Sequence, residues 1–234
     1  SDLIERLDSF LTKPAPSEFT PLAIAVFRYQ FEHNHPYRAF AKSLKQTPKS
    51  VSTWQNIPAV PTSSFKLADF PLTCGAPIAT TFLTSGTTTE ERGAHHFPDT
   101  DFYEHAIDEG WTLPELTTFF LAPSNLENPQ SSLSHMFAHL NSGDDSRFLL
   151  RKSKFHLSPL IEELQNDHPI FLMGTALAFL HFMETLGPLP LPAGSQLLET
   201  GGYKGASHSL SKSEFYSDLS SFFNIPADQI HNEY

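Results

Sequence analysis

The segment at residues 82–97, FLTSGTTTEERGAHHF, holds the densest group of side chains capable of chemistry. Gly86 lets a backbone approach a ligand closely, and Arg92 offers a planar fork of donors for pyrophosphate or a carboxylate. Neighbouring hydroxyls can donate hydrogen bonds to phosphate oxygens. They belong to Thr84, Ser85, Thr87, Thr88 and Thr89. The segment fits neither G-x-x-x-x-G-K-[ST] nor G-x-G-x-x-G, so its residue types support a phosphate site and a Ser/Thr-rich surface turn equally.

Two adjacent histidines, His95 and His96, open a second interpretation of the same segment. Together with Asp99, Asp101 and His105 they offer imidazole and carboxylate groups of the kind that bind zinc. Their spacing matches no familiar zinc pattern, and adjacent residues on a strand point to opposite faces. We therefore expect solvated or hydrogen-bonded histidines and no metal site.

Candidate nucleophiles have weaker support. Cys74, in PLTCGAP, has no base or orienting carboxylate nearby in the sequence, which favours a small buried residue. Ser85 lacks the G-x-S-x-G frame of a nucleophile elbow.

Composition limits the class of protein. The 234 residues carry a formal net charge of −11, which argues against nucleic acid as the main partner because a phosphate backbone needs a basic face. Apolar residues make up 39%, enough for a sizeable core, and a single cysteine excludes an internal disulfide framework. The opening SDLIERLDSFLTK does not resemble a signal peptide, and no apolar run approaches the roughly 20 residues that span a bilayer. We expect a soluble, cytosolic protein without a membrane span.

Helical periodicity and β-rich runs alternate along the chain. The predicted helices cover residues 18–33, 36–44, 99–113, 131–143, 158–167, 175–187 and 211–224. The predicted strands lie within residues 79–84, 117–124, 146–155, 169–174, 194–201 and 225–234, and residues 54–66 form an extended connection. Ser211 and Glu214 have the spacing of a capping box, and Leu177, Leu180 and Met183 share one side of their helix. This alternation predicts an α/β fold with a largely parallel sheet.

Ligands in such sheets bind beyond the carboxyl ends of the strands. Three segments are predicted to lie there, namely residues 84–93, 173–175 and 199–205. The last of them is ETGGYKG, whose glycines could line a flat ligand, although a turn at the end of a strand is the simpler interpretation.

These segments, taken together, resemble the motifs of adenylate-forming enzymes. TSGTTTEERG (84–93) is similar to their T-S-G-T-T-G-x-P-K-G loop, with Thr89 at a glycine position, Glu91 at the proline and Arg92 at the lysine. ETGGYKG resembles their Gly-Gly adenine-binding turn, and the terminal NEY resembles the start of Y-G-x-T-E. Within this superfamily the chain is most similar to the acyl-protein synthetase (LuxE-like) family, whose sequence blocks it matches in order over nearly its whole length. The matching blocks are IPAVPTSSFK, RGAHHFPDTDFY, SSLSHMFAHL, GTALAFLHFMETLG and LLETGGYKG…NIPADQIHNEY.

The resemblance implies that ATP and a carboxylic acid, expected to be a fatty acid, form acyl-AMP and pyrophosphate. The acyl group then passes to a thiol of the enzyme or of a partner protein such as an acyl reductase. The loop residues Thr84, Ser85, Gly86, Thr87, Thr88 and Thr89 would bind the phosphates of ATP, which arrives with Mg²⁺. Arg92 would stabilise the departing pyrophosphate, and His96, or its neighbour His95, would face the acyl adenylate. Gly201, Gly202 and Tyr203 would line the adenine, and Tyr234 would begin the next nucleotide-binding motif.

The resemblance also implies an architecture. Residues 1–234 would form an incomplete large N-terminal domain of mostly parallel sheets flanked by helices, with residues 1–75 a helical region packed on it. The rest of this domain and a small C-terminal domain would lie beyond Tyr234. Ala206 and His208 stand where a basic stretch is expected, so one alternative is a catalytically impaired module that binds a nucleotide or a partner. A metal-dependent hydrolase using His95, His96 and Asp99 is a third interpretation.

Overall fold

The structure is a computed structural model that describes residues 2–67, 75–84, 92–111, 114–201 and 211–233. Contacts divide the chain into two compact units, Ser1–Trp111 and Thr112–Tyr234. Helices open the first unit, whereas helices and a parallel sheet form the second. Within the described ranges, no helix combines the length and the apolar character that a membrane crossing requires.

The first unit begins with helices α1, α2 and α3. They span Asp2–Thr12, Pro16–His33 and His35–Ser43. The sequence predicts that the last of these helices begins at Pro36, whereas α3 begins at His35 after a turn at Asn34. The Asn34 N–H donates to the Gln30 carbonyl at 2.8 Å, and its Oδ1 accepts from the Tyr37 N–H at 3.1 Å. Pro36 stands in the first turn of α3, where a missing N–H costs no helical hydrogen bond.

Residues 54–66 are only partly extended. Short 3₁₀ turns at Trp54–Asn56 and Thr62–Lys66 flank the extended middle. In the first turn, the Ile57 N–H donates a hydrogen bond to the Trp54 carbonyl at 3.1 Å. The prediction of a wholly extended connection is wrong at both ends, because neither turn contains a proline, and Pro58 and Pro61 lie in the extended middle.

A hairpin and a fourth helix complete the described part of the first unit. They are β1 (Thr80–Leu83), β2 (Ala94–Phe97) and α4 (Asp101–Gly110). Helix α4 contacts α1 through His105, whose Nδ1 lies 2.5 Å from Asp8 Oδ1. The other ring nitrogen, Nε2, lies 3.4 Å from Glu109 Oε1 on the same helix. A histidine between two carboxylates is favoured in its protonated form.

This pairing predicts a pH-dependent contact between α1 and α4. Desolvation disfavours the charged imidazole, but hydrogen bonds and charges from Asp8 and Glu109 outweigh it, so the pKa of His105 is raised above its ordinary value. The stabilisation is therefore complete below the unfolded-state pKa of about 6.5 and is lost as the pH rises through the raised folded-state pKa. We expect NMR titration of the His105 ring to report a raised midpoint in the wild type and a lower one in Asp8→Asn. A wild-type midpoint at or below that of free histidine would contradict this expectation.

The second unit begins with strand β3 (Thr117–Leu121) and helix α5 (Ser132–Leu140). The segment at 146–155 is predicted as one strand, and this prediction is wrong. A 3₁₀ turn is followed by a short hairpin of β4 (Leu150–Arg151) and β5 (Lys154–Phe155). Lys152 and Ser153 reverse the chain with φ values of 47° and 60°. Neither is glycine or asparagine, so the turn lacks the residues that usually signal it.

The remaining elements of the second unit alternate between helix and strand. They are α6 (Ser158–Leu164), β6 (Ile170–Thr175), α7 (Ala176–Thr185), β7 (Gln196–Thr200), α8 (Lys212–Phe223) and β8 (Ile230–Asn232). Strands β3, β6, β7 and β8 pair in that order, and every pairing is parallel. This sheet confirms the predicted α/β fold. Helix α8 begins with the predicted capping box, in which the Glu214 N–H donates to Ser211 Oγ and the Ser211 N–H donates to Glu214 Oε2.

Apolar side chains cover both faces of the parallel sheet. On one face, strand residues pack with aromatic rings from α7 and α8, and this core includes Phe119, Leu172, Leu197, Phe179, Phe182, Phe215 and Phe223. On the other face, the Phe120 ring stacks against Phe137 and Phe148, with centroids 4.7 and 5.0 Å away. Burial on two faces explains why β6 contains the continuous apolar run IFLM.

Gly174 in β6 allows the close approach of its neighbour β3. A Cβ at this position would lie 2.8 Å from the Cβ of Leu121 and 3.5 Å from Phe179 Cε2. Gly174→Ala must displace Leu121, so we expect it to lower the free energy of unfolding by about 1–3 kcal/mol. Urea denaturation of this variant and of Gly187→Ala provides the measurement. At Gly187 a new Cβ meets nothing within 4 Å, so equal unfolding free energies would contradict the prediction.

Candidate functional site

The hydroxyl-rich segment connects the two strands of the hairpin. Strands β1 and β2 pair antiparallel, with Leu83 opposite Ala94 at the end nearest the loop. The strand predicted before the segment is therefore confirmed, but its place in the parallel sheet is not. Residues 84–93 lie between antiparallel strands instead of beyond the carboxyl end of a parallel strand. Five predicted phosphate-binding residues, Ser85, Gly86, Thr87, Thr88 and Thr89, lie outside the described residues.

Thr84, Arg92 and Gly93 form the neck of this loop. The Thr84 N–H donates to the Gly93 carbonyl at 2.8 Å, and the Gly93 N–H donates to Thr84 Oγ1 at 2.9 Å. A Cβ on Gly93 would lie 3.2 Å from Thr84 Cγ2 and 3.3 Å from Phe65 Cβ, so glycine suits this close packing. Thr84 thus joins the ends of the loop through both its backbone and its side chain.

Arg92 also stabilises this neck, through hydrogen bonds from its side chain. Its Nε donates to the Thr84 carbonyl at 2.7 Å, and its Nη2 lies 3.4 Å from the Leu83 carbonyl. The side chain is exposed, and the guanidinium carries N–H donors beyond those two. A fixed positive charge consequently stands at the base of the loop, where the sequence predicts a phosphate-binding cation.

The two adjacent histidines lie in different environments. His96 pairs with Thr81 across the hairpin, and its Nδ1 lies 2.9 Å from Thr81 Oγ1. The His95 ring stacks on Phe65 with centroids 4.2 Å apart. Among the described residues, no group of three or more His, Cys, Asp or Glu side chains could hold a metal ion. These contacts give no support to the hydrolase interpretation that uses His95, His96 and Asp99.

The other predicted part of the site follows β7 in the second unit. Gly201 has a φ of +90°, a backbone conformation that side chains disfavour, and a Cβ there would meet nothing within 4 Å. The positive φ therefore explains why a glycine stands here, since a side chain would have room. The strand ends at Thr200, which confirms its predicted end. Gly202, Tyr203 and Tyr234 lie outside the described part of the chain.

Glu199, the next-to-last residue of β7, is a buried carboxylate at the start of the predicted ligand segment 199–205, although the sequence analysis gives it no role of its own. Its side chain is 1% exposed. Oε1 accepts hydrogen bonds from the Tyr216 hydroxyl, at 3.1 Å, and from the Asn232 side-chain amide. Oε2 has no hydrogen-bond partner among the described residues. A glutamate directly after the apolar pair Leu197 and Leu198 is the signal that could have identified it.

The loop neck belongs to the first unit, and the carboxyl end of β7 belongs to the second. Comparisons with protein-family models, curated proteins and solved structures gave no match. The chemistry of the loop neck and that of the carboxyl end of β7 are therefore inferred from their own residues and from the sequence motifs around them.

Proposed function

We propose that this protein activates a carboxylic acid with ATP and transfers the resulting acyl group to a thiol. The loop neck carries the proposal. There, Arg92 and Thr84 hold the two ends of a hydroxyl-rich loop whose sequence resembles the phosphate loop of adenylate-forming enzymes. A rigid neck suits a loop that must present several hydrogen-bond donors to phosphate at once.

In the first step, a carboxylate oxygen of the acid attacks the α-phosphorus of ATP. The bond between this phosphorus and the bridging oxygen breaks, and pyrophosphate leaves with the electron pair. Negative charge grows on the leaving group, so a fixed cation beside it lowers the barrier. Arg92 would supply that cation, while the loop from Thr84 to Thr89 would hold the β- and γ-phosphates.

In the second step, a thiolate attacks the carbonyl carbon of the acyl adenylate, and AMP leaves with the electron pair of the broken C–O bond. The acceptor would be a thiol of the protein itself or of a partner, such as an acyl reductase. His96 would face the acyl adenylate. Because its Nδ1 is engaged with Thr81, Nε2 is the ring nitrogen that we assign to this contact.

By the same resemblance, Gly201, Gly202 and Tyr203 would line the adenine, and Tyr234 would begin the next nucleotide-binding motif. Mg²⁺ would enter as part of the MgATP substrate. Magnesium that arrives with ATP is usually held by phosphate oxygens, water and one or two carboxylates.

A fatty acid is the proposed substrate. The first unit contains a cavity of about 340 Å³ with a mainly apolar lining. Side chains from α1, α2 and the connection after α3 contribute to it, including Phe10, Phe19, Leu22, Val26 and Ile57. Such a lining suits the hydrocarbon part of an acid and offers few partners for a polar one.

Carboxylate-dependent exchange between ATP and labelled pyrophosphate tests the proposal. The full-length gene product would be assayed with a panel of fatty, aromatic and amino acids. We expect exchange that requires an acid and is strongest with fatty acids. The absence of exchange with every acid of the panel would overturn the proposal.

A second candidate function is nucleotide binding without turnover. It is favoured by Ala206 and His208, which occupy positions where the resemblance leads us to expect a basic stretch. Calorimetry that detects MgATP binding by a protein inactive in exchange would select this alternative.

A further inference from the structure

An apolar groove lies between helices α7 and α8 on the surface of the second unit. This α7–α8 groove has a volume of about 440 Å³, and the half-buried side chains of Leu180, Met183 and Phe222 line it. Leu177, which is 41% exposed, lies one turn before Leu180 on the same side of α7. The apolar surface therefore continues along the helix from Leu177 to Met183, a length of about 9 Å at 1.5 Å per residue.

Two exposed carboxylates border the apolar lining of the α7–α8 groove. They belong to Glu184 on α7 and Asp218 on α8. Within the part of the chain that the structure describes, neither side chain has a hydrogen-bond or ion-pair partner. Each can therefore pair with a cation that a bound partner supplies.

The carboxyl ends of the two helices add to this negative character. Glu184 stands in the last turn of α7, and Ser221 and Phe222 stand in the last turn of α8. Neither of these turns contains a basic residue. Because the carboxyl end of a helix carries a partial negative charge, it attracts cations. The groove therefore complements a basic partner, whereas its charge disfavours a second copy of this chain, whose formal net charge is −11.

Backbone hydrogen bonds hold the groove in shape. The Leu189 N–H donates to the Phe222 carbonyl at 3.0 Å, and the Leu191 N–H donates to the Phe223 carbonyl at 2.9 Å. These bonds hold the chain that follows α7 against the end of α8. The Phe222 ring also meets the buried ring of Phe182 edge to face, with centroids 6.0 Å apart. A partner would consequently meet a preformed surface, which lowers the entropic cost of binding.

We propose that the α7–α8 groove binds an amphipathic helix of another protein, with its apolar side chains in the groove and its Lys or Arg side chains against Glu184 and Asp218. A groove between two helices accepts the side-chain ridge of a third helix. Apolar anchors at positions i, i+3 and i+7 span about 10 Å, which matches the apolar surface of α7. The aliphatic stems of lysine and arginine lie along such a surface while their charges reach its border. This inference does not depend on the proposed function.

Three synthetic helical peptides with a fluorescent label test the inference. The first carries leucines at i, i+3 and i+7 and lysines on both flanks of this stripe. The second replaces the lysines with glutamates, and the third contains the residues of the first in scrambled order. Fluorescence anisotropy during titration with the full-length gene product gives the dissociation constants. We expect the first peptide to bind about tenfold or more tightly than either of the others, and its affinity to fall as salt is added.

A variant with both Glu184→Lys and Asp218→Lys reverses the charge at the border of the groove. We expect it to prefer the glutamate peptide over the lysine peptide, because two attractive pairs become repulsive and two repulsive pairs become attractive. Both positions are exposed, and lysine is favourable near the carboxyl end of a helix, so the variant should fold. The matched control combines Glu32→Lys on α2 with Glu162→Lys on α6. It makes the same change of net charge at exposed positions outside the groove and should keep the wild-type preference.

Several outcomes would overturn the inference. They are failure of the wild type to bind the lysine peptide, equal affinity for the lysine and the scrambled peptides, and an unchanged preference in the variant with Glu184→Lys and Asp218→Lys. Self-association of the wild type that this variant abolishes, measured by sedimentation, would assign the groove to a second copy of the chain instead. The comparison of the three peptides on the wild type needs no variant, so it decides the matter by itself.

Discussion

Replacing Arg92 with glutamine is expected to lower the rate of carboxylate-dependent ATP–pyrophosphate exchange about a hundredfold, a typical cost of removing one charge-stabilising group. The substitution removes the positive charge that would stabilise pyrophosphate. It also removes the Nε donor to the Thr84 carbonyl, and with it one link across the loop neck. Initial exchange rates at saturating acid and MgATP provide the measurement.

Two further variants separate the charge of Arg92 from its geometry. Arg92→Lys keeps the charge but lacks the planar fork of donors, so we expect an intermediate loss of exchange. Arg28→Gln makes the same charge change at an exposed position on α2 and should leave exchange at the wild-type rate. Wild-type exchange in Arg92→Gln would contradict the role proposed for this residue.

The order of helices and strands in the second unit could be predicted because each element carries a local signal. Strands such as β6 are short apolar runs, and the intervening helices show apolar residues at helical spacing. Parallel pairing follows from these helices, since a crossover connection returns the chain to the same end of the sheet. Local signals are weak for a two-residue strand closed by Lys152 and Ser153, and there the prediction fails.

The sheet to which β1 belongs could not be predicted in the same way. TTFL is rich in residues that favour strands, so the strand itself was predictable. Its partner is AHHF, whose two histidines give no comparable signal. Thr81 and His96 pair although a loop separates them in the sequence, and a local pattern does not show such a pairing. A loop after this strand could therefore be predicted from its residues, although its position between antiparallel strands could not.

Glu199 illustrates a different limit of local patterns. Its burial and its hydrogen bonds depend on Tyr216 and Asn232, which follow it by 17 and 33 residues. No spacing rule links such distant positions, so the sequence places Glu199 in a predicted ligand segment but shows neither its burial nor its partners. The packing of α8 and β8 around β7 creates the buried carboxylate.

Helix α7 shows how packing selects one side of an apolar helix. The sequence places Leu177, Leu180 and Met183 on one side, but the fully buried side chains are Ala176, Phe179 and Phe182. Leu177 is 41% exposed. With apolar residues around most of its circumference, this helix has no clear amphipathic stripe from which the buried side could be read.

Phe182→Ala is expected to lower the free energy of unfolding by about 3–5 kcal/mol, the usual cost of deleting a buried aromatic ring. The side chain is fully buried, and its ring contacts three other phenylalanines. Phe155 and Phe222 meet it edge to face, with centroids 5.1 and 6.0 Å away, and Phe223 stacks on it at 5.8 Å. These neighbours come from β5 and α8, so the cavity left by alanine would be lined by several elements and could not close by moving one. Urea denaturation followed by circular dichroism measures the loss.

Leu177→Ala on the same helix is the matched control, because its exposed side chain already contacts water. We expect this variant to lower the free energy of unfolding by less than about 1 kcal/mol, because the leucine side chain buries less apolar area than Phe182 does. Similar losses in the two variants would contradict the prediction that the Phe182 side of α7 contributes more to stability than the Leu177 side. A much larger loss in Phe182→Ala would instead show that the rings around Phe182 form the centre of the core that packs on β7. Because Glu199 lies on the same face of the sheet as that core, its fixed position depends on this packing.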